Sequence, residues 1–385
     1  MITNTQALTK LCLELAQEPV LAFDTEFVRE HTYLPELALI QVATDKQAYL
    51  IDPTCFDIKD MAPLLDLLQN QKVLKVLHAA YGDQECLQKI YGITASPILD
   101  TLEAASLMGL GESISLEDLL RKTIKVKLSK NLSRTRWLNR PLSPEMESYA
   151  LDDVKHLVRL SQYLESELKK LDRWDWALEL SAAFSNPKLY EEPLESMAQK
   201  LAKSRHLKSH HYACLKRLLK WREERALSLN QPRKRLADDA TLISLARSQP
   251  KTLKQLANFR GLHLREVKKQ GQELLNLLQS QEEDKKTALP LLSKGKHLGA
   301  QEKSVVSFLA TLIKCLCQEL RLANRLVMTN KELEILLAEE LYTQAEWIQR
   351  GLIHPQAASL VGETLEEALA GKKLLGIQNK KLKIY

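Results

Sequence analysis

The sequence predicts an α/β domain, a mixed sheet flanked by helices, followed by two all-α domains. Three observations carry this prediction. Glycine supplies only 12 of 385 residues, about 3% against a usual ~7%, too few for a chain built on tight β turns. Apolar runs of strand length are confined to the first hundred or so residues, and helical periodicity takes over from Leu102. Two proline-bearing breaks, SNPKLYEEPLE at 185–195 and the lysine-rich stretch at 281–301, interrupt that periodicity. A chain of this length exceeds one ordinary core. The expected division is 1–184 for the α/β domain, 185–207 for a connecting helix, 208–280 for the first helical domain, 281–301 for a linker and 302–385 for the second.

Each element has its own signal. PVLAFDTEFV (19–28), LALIQVAT (37–44) and AYLID (48–52) follow one another closely, as in an antiparallel meander. MAPLLDLLQN reads as a helix, VLKVLHAA (73–80) as a strand, DQECLQKIYG as a helix ending at Gly92, and PILDT as a strand. SLEDLLRKT is helical, and SPEMESYALDDVKHLVRLSQYLESELKKL reads as one continuous helical pattern. Its start is well marked: Ser143 suits the N-cap, Pro144 the first turn, and Glu145 and Glu147 the positive end of the helix dipole. HHYACLKRLLKWREERAL resumes helical spacing after the first break, and 302–385 is helical throughout. The two C-terminal blocks are of similar length, as in a diverged duplication. Three strands in meander followed by alternating β and α is the order of a ribonuclease H-like sheet.

The formal charge of +6 conceals opposites. Residues 1–170 hold 19 Lys/Arg and 24 Asp/Glu, net −5, and the remaining 36 and 25 give +11. Residues 201–280 alone carry 18 basic and 6 acidic side chains, and Arg121 to Arg140 has eight Lys/Arg and no acid. Such segregation points to a polyanionic partner. The six cysteines are dispersed without a CxxC pair, so neither a zinc knuckle nor a disulfide framework is indicated. No uncharged apolar run reaches the ~18 residues a membrane span requires, and no secretory leader pattern opens the chain, so a cytoplasmic protein without membrane association is expected.

Side-chain alternation on a strand sends Leu21, Phe23, Thr25 and Phe27 to one face and Ala22, Asp24 and Glu26 to the other. Two carboxylates side by side repel unless a cation lies between them. The alternative is a solvated edge strand, which apolar neighbours at both ends oppose. Asp83 follows a strand by a short turn and opens a helix; on its own it reads as a cap or dipole partner. On the helix from 144, Ala150, Val154, Leu157 and Val158 mark the buried side, with Tyr149 and Asp153 one turn apart along its border and Asp152 pointing nearly opposite. A surface tyrosine beside an acid is the plainer reading of that pair alone.

Taken together, FDTEF, HAAxxD and YxxxD in this order resemble the DEDD superfamily of 3′–5′ exonucleases, in its tyrosine subclass. FDTEFVREHTYLPELALIQVAT, VLKVLHAAYGDQECL, ILDT and LSRTRWLNRPLSPEMESYALDDV, spread over roughly residues 1–170, are similar to bacterial ribonuclease D. LKRLLKWREERALSLNQPRKRLADDATLISLARSQ and its continuation to LLNLL resemble an HRDC domain, and the last block is similar to a second, less diagnostic one. The resemblance implies that Asp24, Glu26, Asp83 and Asp153 bind two divalent ions, Mg²⁺ or Mn²⁺, with no small-molecule cofactor. It implies that Tyr149 orients or helps deprotonate the attacking water, the metal doing most of the activation because a phenol is a poor base. Glu26 and the backbone around Thr25, with Phe27, are then expected at the terminal nucleotide, with Tyr33 and Gln41 either lining its pocket or lying in the core, and His78 beside it, packing or hydrogen-bonding to the site rather than catalytic. Arg134, Arg136 and Trp137 are expected along the incoming strand, and Arg233, Lys234 and Arg235 as RNA contacts of the first HRDC domain. Asp100 is expected to support the site or cap the following helix, and Trp221 to be HRDC core.

The resulting expectation is a monomeric 3′–5′ exoribonuclease that releases nucleoside 5′-monophosphates and trims tRNA precursors and other small structured RNAs. A DNA exonuclease or a non-catalytic RNA-binding protein would share the fold. Nothing in the sequence reads the 2′-hydroxyl, but a non-catalytic scaffold has no use for a full set of mutually repelling acids.

Overall fold

Amphipathic spacing of Leu8, Leu11, Cys12 and Leu15 builds a first helix that the sequence reading above did not include, α1 (Thr5–Leu15), with Asn4 accepting from the Ala7 N–H at its start. The computed structural model describes all residues except 129–134, 205, 206, 263, 281–297 and 380. After α1 come β1 (Val20–Val28), β2 (Glu36–Ala43), β3 (Ala48–Ile51), α2 (Ala62–Gln69), β4 (Leu74–Leu77), α3 (Tyr81–Tyr91) and β5 (Ile98–Asp100). The sheet order is β3-β2-β1-β4-β5. The first three strands are antiparallel; β1–β4 and β4–β5 are parallel. The strand that carries Asp24 and Glu26 is therefore central, and an edge strand is ruled out.

Both faces of the sheet are covered. Leu21, Phe23, Ile40 and Val42 pack with α1 and α2, while Ala22, Ala43, Val76 and Leu99 pack under the later helices. Those helices are α4 (Thr101–Ser106), α5 (Leu116–Thr123), α6 (Pro144–Lys155), α7 (Leu157–Lys170) and α8 (Trp174–Ala182). The single helical run expected from Pro144 onward is in fact two helices, broken at His156 (φ −109°, ψ −3°). The break lets α6 lie against β1, β2 and β3 while α7 packs on β1 and β4.

The helical half comprises α9 (Leu194–Ser204), α10 (Ser209–Leu229), α11 (Asp239–Ser248), α12 (Leu253–Ala257) and α13 (Leu264–Gln279), then α14 (Ala300–Leu320), α15 (Asn330–Ala338), α16 (Gln344–Gln349) and α17 (Pro355–Leu369). The sets from α10 and from α14 repeat one order. Each opens with a 21-residue helix that ends on a left-handed residue, Asn230 or Arg321, before a 3₁₀ turn and three further helices. Trp221 is buried in the core of the first set, as expected. The second set shares its apolar cluster with α7 and α8. There the buried Arg173 guanidinium donates to the carbonyls of Leu107, Leu320 and Arg321 at 2.7–3.0 Å, fastening the end of α14. The chain finishes as a hairpin, β6 (Leu375–Gln378) and β7 (Lys381–Ile384), where a helix was expected; Ile377 pairs with Leu382 across it, and Asn379 takes the left-handed turn conformation (φ 52°). Most of the expected 281–301 linker lies outside the described residues. No helix among the described residues is long and apolar enough to cross a membrane.

Candidate active site

The β1–β2 register sets Asp24 opposite Gln41 and Glu26 opposite Leu39, on the sheet face beneath α6. Helix α6 starts as its cap chemistry dictates, with the Ser143 hydroxyl accepting from the Met146 N–H at 3.3 Å and Pro144 in the first turn. Its direction brings Asp153 over the strand. One carboxylate oxygen each from Asp24, Glu26 and Asp153 falls within 4.8 Å of the other two. Asp83 stands outside this trio. It is buried on α3, and its Oδ1 accepts from both the N–H (3.0 Å) and the hydroxyl of Thr25. It is not the helix cap, a position taken by Ala80. Asp100 caps α4 through the Leu102 N–H (2.8 Å) and also accepts from the N–H groups of Ala79 and Ala80 (both 2.9 Å). It thereby holds Ala79 at φ 59°, the turn that delivers Asp83.

The electrostatics follow from bringing four acids together, Asp83 buried and Asp24, Glu26 and Asp153 half-buried. Burial, then the charges of Asp83, Asp153 and Glu26, push Asp24 well above the ordinary carboxylate range. Burial, Asp153 and Asp83 push Glu26 up to about 8. Burial lifts Asp83 to about 7 against the Thr25 hydrogen bonds, and Asp153 to about 6 against a hydrogen bond from Tyr149. The Tyr149 phenol is raised by burial and by Asp153, Glu26 and Asp24, so it keeps its proton. An all-carboxylate trio with this mutual repulsion fits a hard divalent cation rather than zinc, which favours nitrogen and sulfur donors.

The other expected residues divide. Thr25 is tied to Asp83, and the half-buried Phe27 ring lies beneath the Arg29 guanidinium, 4.7 Å from its centre. Gln41 is fully buried beside Asp24, and its amide nitrogen and oxygen find no partner among the described residues. Arg136 is exposed and lines, with Phe27 and His31, a cleft of about 600 Å³. Arg134 lies outside the described residues. Lys234 and Arg235 are exposed.

Five residues are committed to protein partners, and for His78 and Trp137 this corrects the expectation. His78 has both ring nitrogens against protein groups, Nδ1 at 2.8 Å from the Thr101 hydroxyl and Nε2 at 3.2 Å from the Ile114 carbonyl, so it has none to offer a nucleotide. Burial also keeps it neutral, with its pKa lowered to about 4. Trp137 is only 7% exposed, packed with Leu39, Leu50 and Ala150 and 6.1 Å from the Tyr149 ring, so it cannot stack on an incoming base. Tyr33 and Arg233 are engaged with each other across the domain boundary, both bonded to Glu223. Tyr33 and Glu223 lie 190 residues apart, a pairing that no local pattern reports. Arg140, within the basic strip, is likewise committed: it donates to both carboxylate oxygens of Asp52 and to the Ala38 carbonyl.

Two family models match, one described as 3′–5′ exonuclease over residues 1–169 and one as HRDC domain over 211–278. Ribonuclease D of Sphingobium indicum is 34% identical over 341 residues, covering 88% of this chain and 87% of its own. Ribonuclease D of Jannaschia sp. is 31% identical over 389 residues, covering 100% and 98%. The crystal structure of Escherichia coli RNase D, described as an exoribonuclease involved in structured RNA processing, matches with a TM-score of 0.77 at 25% identity, covering 96% of this chain and 98% of that one.

Proposed function

The chain belongs to the ribonuclease D family and is a 3′–5′ exoribonuclease, and from that premise we propose that Asp24, Glu26, Asp153 and, less directly, Asp83 hold two divalent ions, Mg²⁺ or Mn²⁺, at which terminal nucleotides are hydrolysed. The observation that carries this reading is the meeting of the Asp24, Glu26 and Asp153 carboxylates from a strand and a helix far apart in sequence. Bound metal would supply Lewis-acid activation of water and stabilisation of the leaving oxygen. The residues supply the rest. Tyr149 donates a hydrogen bond that holds Asp153 and is placed to orient the nucleophile. Thr25 fixes Asp83 from the strand side, and Asp100 fixes the turn behind it.

The substrate reading is single-stranded 3′ ends of tRNA precursors and other small structured RNAs, released as nucleoside 5′-monophosphates by a monomeric cytoplasmic enzyme. The basic second half of the chain supports it. Residues 1–184 are the proposed catalytic domain, and 208–280 and 302–385 two HRDC-like domains. The test is mononucleotide release from 5′-labelled and 3′-labelled RNA, with matched DNA alongside. Wild type should act on RNA from the 3′ end and stop in EDTA, and Asp24→Asn and Asp153→Asn should fall to background while remaining folded. A folded Asp24→Asn protein with wild-type rates would exclude this site.

A further inference from the structure

We propose that the first helical domain is a working part of the active-site mouth, because Asn230 and Glu223 act as positioning residues for the 29–35 segment that leaves Glu26. The inference rests on Asp24, Glu26 and Asp153 forming the hydrolytic site.

The segment between β1 and β2 has no helix or strand of its own, so its order must come from outside contacts. Those contacts come from the helical domain. Asn230 ends α10 in the left-handed conformation, φ 45°, and its Oδ1 accepts from two consecutive backbone N–H groups of the segment, Tyr33 at 3.1 Å and Leu34 at 3.2 Å. Glu223, one helical stretch earlier, accepts from the Tyr33 hydroxyl at 2.8 Å and from Arg233 Nε at 2.7 Å. The Arg233 guanidinium then lies 5.4 Å from the centre of the Tyr33 ring. An asparagine that only capped its own helix would point its side chain at solvent or at its own domain; this one engages the other domain twice.

The near end of the segment reaches the acids. Arg29 pairs with Glu85 on α3 at 2.6 Å and covers the Phe27 ring. The tip of that ring lies 3.4 Å from where a β-carbon would stand on Gly82, the residue before Asp83. The two sets of contacts, joined through the chain from 29 to 33, link Asn230 to the flanks of both Glu26 and Asp83. It also borders the cleft formed by Phe27, His31 and Arg136. If this is the role of the contact, the helical domain affects even a substrate too short to touch it.

The experiment uses the full chain and a fluorescent RNA trinucleotide. Asn230→Gly keeps the left-handed backbone but removes the acceptor, and Asn230→Asp restores it. Asn230→Gly should raise KM for the trinucleotide roughly tenfold, the equivalent of about 1.4 kcal/mol, with a smaller change in kcat. Asn230→Asp should return it close to wild type, and Tyr33→Phe, which loses only the bond to Glu223, should shift it in the same direction by less. Circular dichroism and Tm check that each variant is folded. A wild-type KM in both Asn230→Gly and Tyr33→Phe, with losses only on long RNA, overturns the proposal, as does Asn230→Asp behaving like Asn230→Gly. An active Asp24→Asn in the same series would instead overturn the site on which it rests.

Discussion

The acids at the site cost the metal-free protein stability, and the sign of that cost can be tested. In an unfolded chain these carboxylates ionise near pH ~4. In the metal-free fold, Asp153 holds its proton to about 6, Asp83 to about 7, Glu26 to about 8, and Asp24 well above the ordinary range. Between those limits the folded state binds more protons than the unfolded one, so stability falls as pH rises. In EDTA the protein should therefore melt lower at pH 8 than at pH 6, and Mg²⁺ should raise Tm more at pH 8. Asp24→Asn, which removes the cost of holding that carboxyl inside the cluster, should raise the Tm of the EDTA-treated protein at pH 8 while losing hydrolysis. Calorimetry that finds Tm rising from pH 6 to pH 8 in EDTA, or lowered by Asp24→Asn, would contradict this account of the cluster.

At the scale of elements, Arg140 clamps the loop before α6 onto β2 and the end of β3. Burial alone would raise Asp52, but hydrogen bonds from Arg140 and Thr54 outweigh it and hold the carboxyl below its usual range. A depressed carboxylate stabilises above the unfolded pKa of ~4 and loses that contribution as pH falls below it. Arg140→Leu leaves Asp52 buried without its partner and should cost roughly 2–3 kcal/mol at pH 7, the guanidinium's partial exposure placing it under the range for fully buried pairs. Urea unfolding at pH 7 and pH 3.5 checks this; an equal cost at both would show that the charge pair is not the cause. The elements also show what was legible in advance. Strand alternation placed Asp24 and Glu26 on one face, and the Ser143–Pro144 start placed Tyr149 and Asp153 on one border, because each depends only on a local period or cap. The break at His156 has no proline or glycine to announce it and follows from how α6 and α7 meet the sheet. The burial of Trp137 and the pairing of Tyr33 are not legible locally because distant partners decide them; the Tyr33–Glu223 bond spans 190 residues.

At the scale of the whole molecule, the basic surplus of the helical half is smaller in effect than in count. Arg222, Arg225 and Arg233 are spent on Asp239, Glu266 and Glu223. Lys234 and Arg235 are exposed on the turn beside them, and Lys234 lines a cleft of about 630 Å³ between the two domains, together with Lys89, Lys200, the exposed Tyr81 and the acids Glu85, Glu191 and Glu192. Lysines beside the exposed Tyr81 ring suit a single-stranded polyanion, with a base stacking on Tyr81 and phosphates neutralised. The double change Lys234→Ala and Arg235→Ala should weaken binding of long RNA and flatten the dependence of log Kd on log salt by about 1.4, two contacts at ~0.7 each for a single strand. Turnover of the trinucleotide should stay at the wild-type rate. Arg233→Ala separates the two uses of neighbouring charges: as part of the contact with Tyr33 it should impair the trinucleotide, with little change in the salt slope. A slope unchanged by the double substitution would remove this turn from the RNA path, and an impaired trinucleotide rate would place Lys234 or Arg235 in the domain contact instead.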